Sequence, residues 1–593
     1  MKKQIIRKVF LHTILPLKYF NKTKLSLECF QYISYKYNLK CKKRYFSDRI
    51  KYLPVKVLVF FTCLISFLSL SAQPNNWFLL DKDMDHYYGT SVNLAYQTLL
   101  KDKNPDTIIV AVVDGGVDPY QEDLKRIMWH NPKEIPANLK DDDKNGHIDD
   151  IYGWNFLGNP DGQDVNGDTY EVTRRYIVLK KMFDGIDSSS IKEKQKKEYA
   201  EYKNLKDKVE TSLEFAKRKL DEFEMTITMI DAPMSALEKR LKDTIVTSAL
   251  LDTLDAGDDV QLMTGIIILK QLIDSADTKG KTMTEYRNLV MDELNDAKNH
   301  FYNEANFAYN INLDTRKEIV KDKYDDYSDS NYGNADVKGP DASHGTHVAG
   351  IIGADRSNTI GIDGIANAVK IMAVRTVPNG DERDKDVANA IRYAVDNGAK
   401  VINMSFGKGI SPGKKYVDQA VEYAVNHDVL LVHAAGNSNE DNDSVETYPE
   451  AKYLTPIGKD TYAKAWIEVG ALTADGKPAE FSNFGQKTVD IFAPGENIYS
   501  TYPDQKYKVN SGTSMASPMV AGVAAVIRSY FPQLSALQVK DIIMKSAVKI
   551  DADVINPKTH ELVAFSTLCV SGGYINAYQA IKLAQEMTSG KLK

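Results

Sequence analysis

The sequence predicts an α/β protein in which a doubly wound, mostly parallel sheet is flanked by helices and interrupted by an α-helical insertion. Two observations lead to this fold class. Short apolar runs alternate with helical segments over much of the chain, which is typical of parallel strands and their crossover helices. The stretch 168–332, in contrast, is rich in Lys, Glu, Asp and Leu and contains little Pro or Gly.

The first predicted strand is the continuous apolar run 108–113, which ends at Asp114 and is followed by two glycines. Such a run is typical of a strand that is buried on both faces of a parallel sheet. Asp114 then lies at the carboxyl end of the strand, the edge at which open α/β sheets bind their ligands. We therefore expect Asp114 to be a functional carboxylate.

An acidic loop at 141–150 has the spacing of the first half of a calcium-binding loop, with Gly146 at the sharp turn. Tyr152 stands where a complete EF-hand loop has its bidentate glutamate, so the match is partial. Both a structural Ca²⁺ site and a solvated acidic turn agree with this pattern. The expected ligands are Asp141, Asp143 and Asn145, with Asp149 or Asp150 behind them.

The insertion is predicted to be helical. Apolar residues between Tyr199 and Ile230 recur mostly at three and four positions, which indicates one long amphipathic helix. Further helical stretches are expected at 262–276 and 283–309. These segments predict a helical hairpin or a small bundle.

Beyond the insertion the α/β alternation resumes. His344 and His347 open an apolar, glycine-punctuated segment at 343–353 that predicts a buried helix. Strands are expected at 370–375, 401–405, 429–434 and 466–470, and helices at 384–397 and 415–426. Strand and helix in turn predict a parallel sheet that is covered on both faces.

Ser514 stands at the start of a strongly apolar helix in the stretch 512–527. Pro518 suits the first helical turn, where its missing N–H removes no hydrogen bond. A serine hydroxyl is a poor nucleophile by itself and requires a base and an orienting acid, which can be distant in sequence. His344 and Asp114 are the candidates for these two roles.

The three motifs around Asp114, His344 and Ser514, in this order, resemble those of the subtilases, the subtilisin-like serine peptidases. The resemblance covers about 105–580 apart from the insertion, and it implies an Asp-His-Ser triad. Asn437, in the stretch 434–438, resembles the family's oxyanion-binding asparagine. Gly115 departs from the pattern, because the family usually has Ser or Thr there, and this departure favours modest activity.

The resemblance further implies a substrate-binding surface and a contribution to calcium binding. The expected substrate-binding residues are Ser405, Phe406, Gly407, Ala434, Ala435 and Gly436, and Asp123 is expected to join a calcium site. The expected domains are a basic leader and signal peptide at 1–72, the two parts of the peptidase domain at 73–165 and 336–593, and the helical insertion at 166–335.

The first 56 residues are basic and precede an apolar run at 57–70 that ends in small residues. This pattern predicts a signal peptide that is cleaved near Ala72, with an uncleaved N-terminal anchor as the alternative. After cleavage no stable membrane span is expected, and the protein would be secreted, periplasmic or at the cell surface. The net charge of −6 argues against nucleic acid as the main partner.

The sequence as a whole predicts a secreted serine endopeptidase that acts on protein or peptide substrates through an acyl-enzyme. One alternative is a catalytically silent scaffold whose insertion binds another protein. A second alternative is a dedicated processing peptidase with a narrow cleavage preference. The charged faces of the insertion agree with plain solvated surface or with gating, autoinhibition or the docking of a protein partner near the substrate cleft.

Overall fold

The computed structural model describes residues 74–273 and 280–590. Its chain divides into two compact units, of which one comprises Gln73–Glu214 with Asn303–Lys593 and the other includes Phe215–Tyr302. The predicted signal peptide and its cleavage site lie outside the described residues. Within the described ranges, no helix is both long enough and apolar enough to cross a membrane.

The first unit is built on a large sheet. Its strands, with those of three small two-stranded sheets, are β1 (Ile108–Asp114), β2 (Gly153–Asn155), β3 (Val369–Arg375), β4 (Val401–Met404), β5 (Leu430–Ala434), β6 (Lys452–Ile457), β7 (Asp460–Tyr462), β8 (Trp466–Leu472), β9 (Ile491–Pro494), β10 (Ile498–Tyr502), β11 (Lys506–Asn510), β12 (Val548–Lys549), β13 (Asp553–Ile555), β14 (Leu562–Ala564) and β15 (Gly573–Tyr574). The nine-stranded sheet has the order β12-β15-β9-β8-β5-β4-β1-β3-β2. All neighbours in it are parallel except β12 and β15.

The helices lie on both sides of this sheet and in the insertion. They are α1 (Lys82–Asp85), α2 (Val92–Thr98), α3 (Glu171–Phe183), α4 (Lys196–Leu241), α5 (Ser248–Thr253), α6 (Val260–Ile273), α7 (Met283–Asn303), α8 (Ser343–Gly353), α9 (Asp384–Asp396), α10 (Lys414–Asn426), α11 (Thr513–Tyr530), α12 (Ala536–Lys545) and α13 (Ala577–Thr588). A mostly parallel sheet with flanking helices and a helical insertion confirms the predicted fold class.

Alternate residues of β1 enter two different hydrophobic cores. Val110 and Val112 pack in the core that contains α8 and α11, whereas Ala111 and Val113 pack in the core that contains α9 and α10. Because both faces are covered, nearly every residue of β1 is buried, and this explains its uninterrupted apolar sequence.

The chain leaves the sheet and returns to it at neighbouring points. Asn155 on β2 and Asn334 exchange two backbone hydrogen bonds of 3.0 Å each. Further along, the backbone N–H of Tyr170 donates to the carbonyl of Ala308 at 2.9 Å. The inserted segment between these pairs therefore begins and ends at fixed positions.

The unit that includes Phe215–Tyr302 has its own tight packing. Helix α4 contains Pro233, and a Cβ on Gly265 of α6 would lie 2.5 Å from the Pro233 carbonyl. Gly265 thus allows the backbones of α4 and α6 to approach closely. Phe223 and Phe301 stack with ring centroids 5.6 Å apart and join α4 to α7.

Candidate active site

Asp114 ends β1 and is 2% exposed. Its Oδ1 accepts a hydrogen bond of 2.7 Å from the backbone N–H of Gly115. His344 Nδ1 lies 2.8 Å from Oδ1 and 3.0 Å from Oδ2. The backbone N–H groups of Thr376 and Val377 donate to the Asp114 carbonyl at 2.8 and 3.2 Å. Asp114 is therefore held in place through both its main chain and its side chain.

His344 lies in the first turn of α8, and its side chain is 42% exposed. Gly345 makes this placement possible, since a Cβ there would lie 2.2 Å from the Gly116 carbonyl. Because Nδ1 faces the Asp114 carboxylate, Nε2 is the basic nitrogen of the neutral ring. Desolvation alone would lower the pKa of His344, but the charge of Asp114 and its hydrogen bond outweigh it, so the pKa is raised above its ordinary value.

Ser514 lies in the first turn of α11, which packs against α8. Its Oγ donates to the backbone oxygen of Ser405 at 3.1 Å. In return, the Ser405 hydroxyl donates to the Ser514 carbonyl at 3.0 Å. The structure thus joins Asp114 and His344 directly and gives the Ser514 hydroxyl a partner on the segment that follows β4.

The carboxamide of Asn437 is oriented by the residue before the serine. Asn437 Oδ1 accepts from the backbone N–H of Thr513 at 2.8 Å and from its hydroxyl at 3.0 Å. The Thr513 hydroxyl also accepts from the N–H of Gly436 at 3.1 Å. Since a backbone N–H can only donate, it must face the amide oxygen, which leaves the amide nitrogen of the exposed Asn437 as a donor.

Asn483 holds the loop that carries Asn437. Its Oδ1 accepts from the backbone N–H groups of Ser438 and Glu440, at 3.0 Å each, and its Nδ2 donates to Asn442 Oδ1 at 3.0 Å. Asn483 lies in the stretch 481–485, and no pattern in this stretch indicates that its side chain supports a loop more than forty positions earlier. Sequence reasoning therefore missed this supporting residue.

The substrate-binding candidates 405–407 and 434–436 follow neighbouring strands. β4 and β5 are parallel, with Met404 opposite His433, so both segments begin at the same edge of the sheet. Asn403 fixes the first segment because its Nδ2 donates to the Ser405 hydroxyl at 2.9 Å while its Oδ1 accepts from Ser517 Oγ at 2.6 Å. The geometry places two strand ends beside the Ser514 turn.

The acidic loop brings some of its expected ligands together and separates others. Asp141 and Asp143 lie with Glu134, which the sequence did not indicate, so that one oxygen from each is within 4.8 Å of the others. Asp149 instead accepts from the backbone N–H groups of Asn138 and Leu139, at 3.2 and 2.8 Å.

The remaining expected ligands have other partners. Asp150 is buried and accepts from the Tyr393 hydroxyl at 2.6 Å. Asn145 Oδ1 accepts from the backbone N–H of His147 at 2.8 Å. Asp123 lies elsewhere and binds Asn358 Nδ2 at 2.6 Å and the N–H of Ile362 at 3.0 Å.

A model of the subtilase family matches residues 106–568 of this chain. The thermophilic serine proteinase of Bacillus sp. (strain AK1) is 42% identical over 205 residues, which cover 34% of this chain and 46% of that protein. Thermitase of Thermoactinomyces vulgaris is 37% identical over 240 residues, 40% of this chain and 75% of thermitase. Subtilisin DY of Bacillus licheniformis is 38% identical over 208 residues, 35% of this chain and 71% of that protein. The matched region thus spans about half the length of the first relative and more than two thirds of the other two.

Proposed function

The chain belongs to the subtilase family of serine-type endopeptidases, and from this premise we propose that it hydrolyses proteins or peptides through Asp114, His344 and Ser514. The observation that carries the proposal is the contact of His344 Nδ1 with both carboxylate oxygens of Asp114, at 2.8 and 3.0 Å. This contact prepares Nε2 to accept a proton from a serine hydroxyl.

In the proposed reaction the Ser514 hydroxyl first breaks its hydrogen bond to the Ser405 carbonyl. The Ser514 oxygen then attacks the scissile carbonyl of the substrate while the hydroxyl proton passes to His344. Asp114 keeps the imidazole in the required tautomer and stabilises its positive form. The same proton then passes to the leaving amine, and water releases the acyl group from Ser514 by the reverse path.

We propose that the amide nitrogen of Asn437 and the backbone N–H of Ser514 donate hydrogen bonds to the developing oxyanion. Thr513 supports this assignment because its two hydrogen bonds to Asn437 Oδ1 orient the amide before substrate arrives. The segments 405–407 and 434–436 are the proposed substrate-binding walls, where small residues let an extended peptide approach the backbone.

The direct test uses the full chain as wild type, as Ser514→Ala and as Ser546→Ala, a matched control on the segment after α12. Each protein is incubated with a fluorophosphonate probe and with denatured casein. The proposal is supported if the wild type and Ser546→Ala are labelled and cleave casein, whereas Ser514→Ala is not labelled and does not cleave it. Labelling that survives in Ser514→Ala would assign the nucleophile to another residue, and a wild type that neither labels nor cleaves would favour the silent scaffold.

We further propose a structural Ca²⁺ at Glu134, Asp141 and Asp143. Three carboxylates with oxygens within 4.8 Å of one another suit a hard cation that prefers oxygen ligands. Each of them is already oriented by backbone N–H groups or an amide, for example Asp141 by the N–H groups of Asn145 and Gly146 at 3.0 and 2.8 Å. A bound ion would offset the repulsion among the three carboxylates.

Thermal unfolding of the full chain with Ca²⁺ and with a chelator tests the ion site. We expect chelation to lower the melting temperature of the wild type and of Asp161→Asn, an exposed control, but not that of the double variant Asp141→Asn with Asp143→Asn. Equal melting temperatures of the wild type with and without Ca²⁺ would refute the site.

We also propose that the protein is exported after cleavage near Ala72 and that the insertion serves as a surface for a protein partner. Exposed apolar side chains on the insertion, Met225 at 64% and Ile267 at 49%, support the second point. N-terminal sequencing of the exported protein tests the first, and a mature chain that keeps residues before Ala72 contradicts it. Deleting the insertion and comparing cleavage of a peptide with that of a folded protein tests the second, and unchanged rates on both contradict it.

A further inference from the structure

His433 is a second buried histidine in contact with a carboxylate, outside the catalytic residues proposed above. It lies on β5 directly before Ala434, and its side chain is 1% exposed. Its Nδ1 lies 2.9 Å from Glu468 Oε1 and 3.1 Å from Oε2, and its Nε2 lies 2.7 Å from the backbone oxygen of Phe406. Both ring nitrogens therefore face oxygen atoms.

The partners of His433 determine where its protons lie. A carbonyl oxygen only accepts hydrogen bonds, so the contact with Phe406 requires a proton on Nε2. Trp466 Nε1 donates to Glu468 Oε2 at 2.9 Å, which favours an ionised carboxylate that also accepts from Nδ1. The ring is then an imidazolium that donates at both ends. Burial alone would lower the pKa of His433, but the charge of Glu468 and the hydrogen bonds to Glu468 and Phe406 outweigh it and raise the pKa.

Other charged groups surround this pair. Glu382, before α9, favours the imidazolium of His433 when it is ionised, and burial raises the pKa of Glu382 itself to about 7. Asp490, before β9, accepts from the backbone N–H of Glu468 at 2.9 Å, and Lys540 on α12 lies 3.3 Å from Asp490. Loss of the His433 charge would leave the Glu468 carboxylate buried without its positive partner.

The carbonyl that His433 binds belongs to the segment 405–407. Gly407 lies beside the ring, where a Cβ would be in ordinary van der Waals contact, 3.8 Å from both Cε1 and Nε2 of His433. At the start of the segment, the Ser405 carbonyl accepts from Ser514 Oγ at 3.1 Å. One imidazole thus connects the strand that continues into 434–436 to the segment that contacts the serine.

We propose that His433, held by Glu468, is a positioning residue for substrate binding, because its Nε2 proton fixes the Phe406 carbonyl and with it the segment 405–407. This inference rests on the proposed peptidase function and deepens it. When the imidazolium loses one proton, the remaining proton stays on Nδ1 because a carboxylate faces that nitrogen. Nε2 then presents a lone pair to the Phe406 carbonyl, and the contact is lost.

The sign of the pH effect follows from the raised pKa. The contact is complete below the ordinary imidazole pKa of about 6.5 and is lost as the pH rises through the higher folded-state value. Substrate binding by this segment therefore weakens on the alkaline side. Catalysis by His344 requires its neutral form and is therefore lost at acid pH. The two histidines thus act on opposite sides of the pH–activity profile, His344 on the acid side and His433 on the alkaline side.

A binding measurement without chemistry tests the proposal in the full chain carrying Ser514→Ala. The dissociation constant of fluorescein-labelled β-casein is measured by anisotropy across neutral and alkaline pH. We expect binding to weaken at alkaline pH when His433 and Glu468 are present. His433→Gln should bind about tenfold more weakly at neutral pH, since an uncharged amide cannot donate to both partners, and should lack the alkaline loss.

Glu468→Gln gives the sharper prediction. A neutral carboxamide can donate to Nδ1, which leaves the proton of a neutral ring on Nε2 and preserves the Phe406 contact at every pH. Binding should therefore stay tight and become independent of alkaline pH. His427→Gln, at an exposed histidine after α10, is the control and should behave as its parent.

Two results would overturn the proposal: an alkaline loss that persists in both Glu468→Gln and His433→Gln, or casein binding in His433→Gln that equals that of the parent. Casein binding is measured in chains that carry Ser514→Ala and involves no catalysis. These results therefore do not depend on whether the chain cleaves peptides. Fluorophosphonate labelling of the chain with Ser514 intact reports on the peptidase chemistry separately.

Discussion

Arg375 donates from Nε to the backbone oxygen of Gly115 at 2.8 Å and so clamps the residue that directly follows Asp114. Its other nitrogens donate to Asn155 Oδ1 at 3.0 Å and to the Val165 carbonyl. The side chain is 1% exposed, and burial lowers the pKa of Arg375 to about 10. The hydroxyl that subtilases usually have at position 115 is missing, and this clamp and the Gly115 N–H hold the Asp114 loop.

Arg375→Met should destabilise the first unit. The change removes three buried hydrogen bonds, each contributing about 1 kcal/mol, so we expect a loss of about 2–4 kcal/mol in the free energy of unfolding. Urea unfolding measures it, with Arg392→Met on α9 as a matched control that should lose less than about 1 kcal/mol. Equal losses in the two variants would show that the clamp has no special role.

The pH dependence of catalysis should reflect the Asp114–His344 contact. His344 acts as a base only when it is neutral, and its pKa is raised, so kcat/KM should fall on the acid side at a pH above the ordinary imidazole pKa of about 6.5. Asp114→Asn should move this limb to lower pH and reduce kcat by about 10⁴, the loss known for such a change in a related triad. A limb that stays in place in Asp114→Asn would argue against the assignment.

Asn437→Leu should reduce kcat with little change in KM, because the amide acts on the oxyanion rather than on the bound substrate. The expected loss is about 10²–10³, the range known for the corresponding donor of subtilisin. Thr513→Val removes one of the two hydrogen bonds that orient the amide and should lower kcat less, whereas Thr513→Ser should retain most of it. Steady-state kinetics on one peptide decides, and a change confined to KM would contradict the oxyanion role.

Asp168 is a buried carboxylate whose pKa is lowered to about 2, because the charges of Arg383 and Arg174 and several hydrogen bonds outweigh the effect of burial. Arg383 Nε lies 2.7 Å from its Oδ2. Since the folded-state pKa is depressed, the stabilisation is present above the ordinary value of about 3.9 and is lost as the pH falls through about 2.

Asp168→Asn should therefore destabilise the protein at neutral pH by about 3–5 kcal/mol, because Arg383 loses a buried partner. The exposed Asp187→Asn is the control and should change stability by less than about 0.5 kcal/mol. Unfolding measured at neutral and acid pH tests both statements, and the difference between the wild type and Asp168→Asn should shrink in acid. A difference that does not shrink would assign the effect to packing.

Local patterns in the sequence were sufficient to predict several strands and helices. The run before Asp114 is apolar on every residue because both faces of β1 are buried, so the strand and its end at Asp114 were both predictable. The segment opened by His344 was likewise identified as a buried helix, and α8 lies at the predicted position. Matches to the subtilase family confirm the resemblance drawn from these motifs.

The contacts that depend on strand register could not be predicted. Arg375 reaches Gly115 because β3 pairs with β1 so that Asp114 lies opposite Arg375, and nothing in either segment encodes that pairing by itself. The contact of His433 with Glu468 has the same origin, since these residues lie opposite each other on β5 and β8. Glu134 approaches Asp141 through a loop fold that the spacing of the acidic residues does not reveal.

The two backbone hydrogen bonds between Asn155 and Asn334, with the hydrogen bond from Tyr170 to Ala308, close the inserted segment into a loop whose two ends lie side by side. Doubling the length of a closed loop costs only about 0.6 kcal/mol in entropy. A change in the length of this segment should therefore cost little and leave the strands beside Asp114 in place. The same junction offers a designer a place to graft a foreign domain into a peptidase.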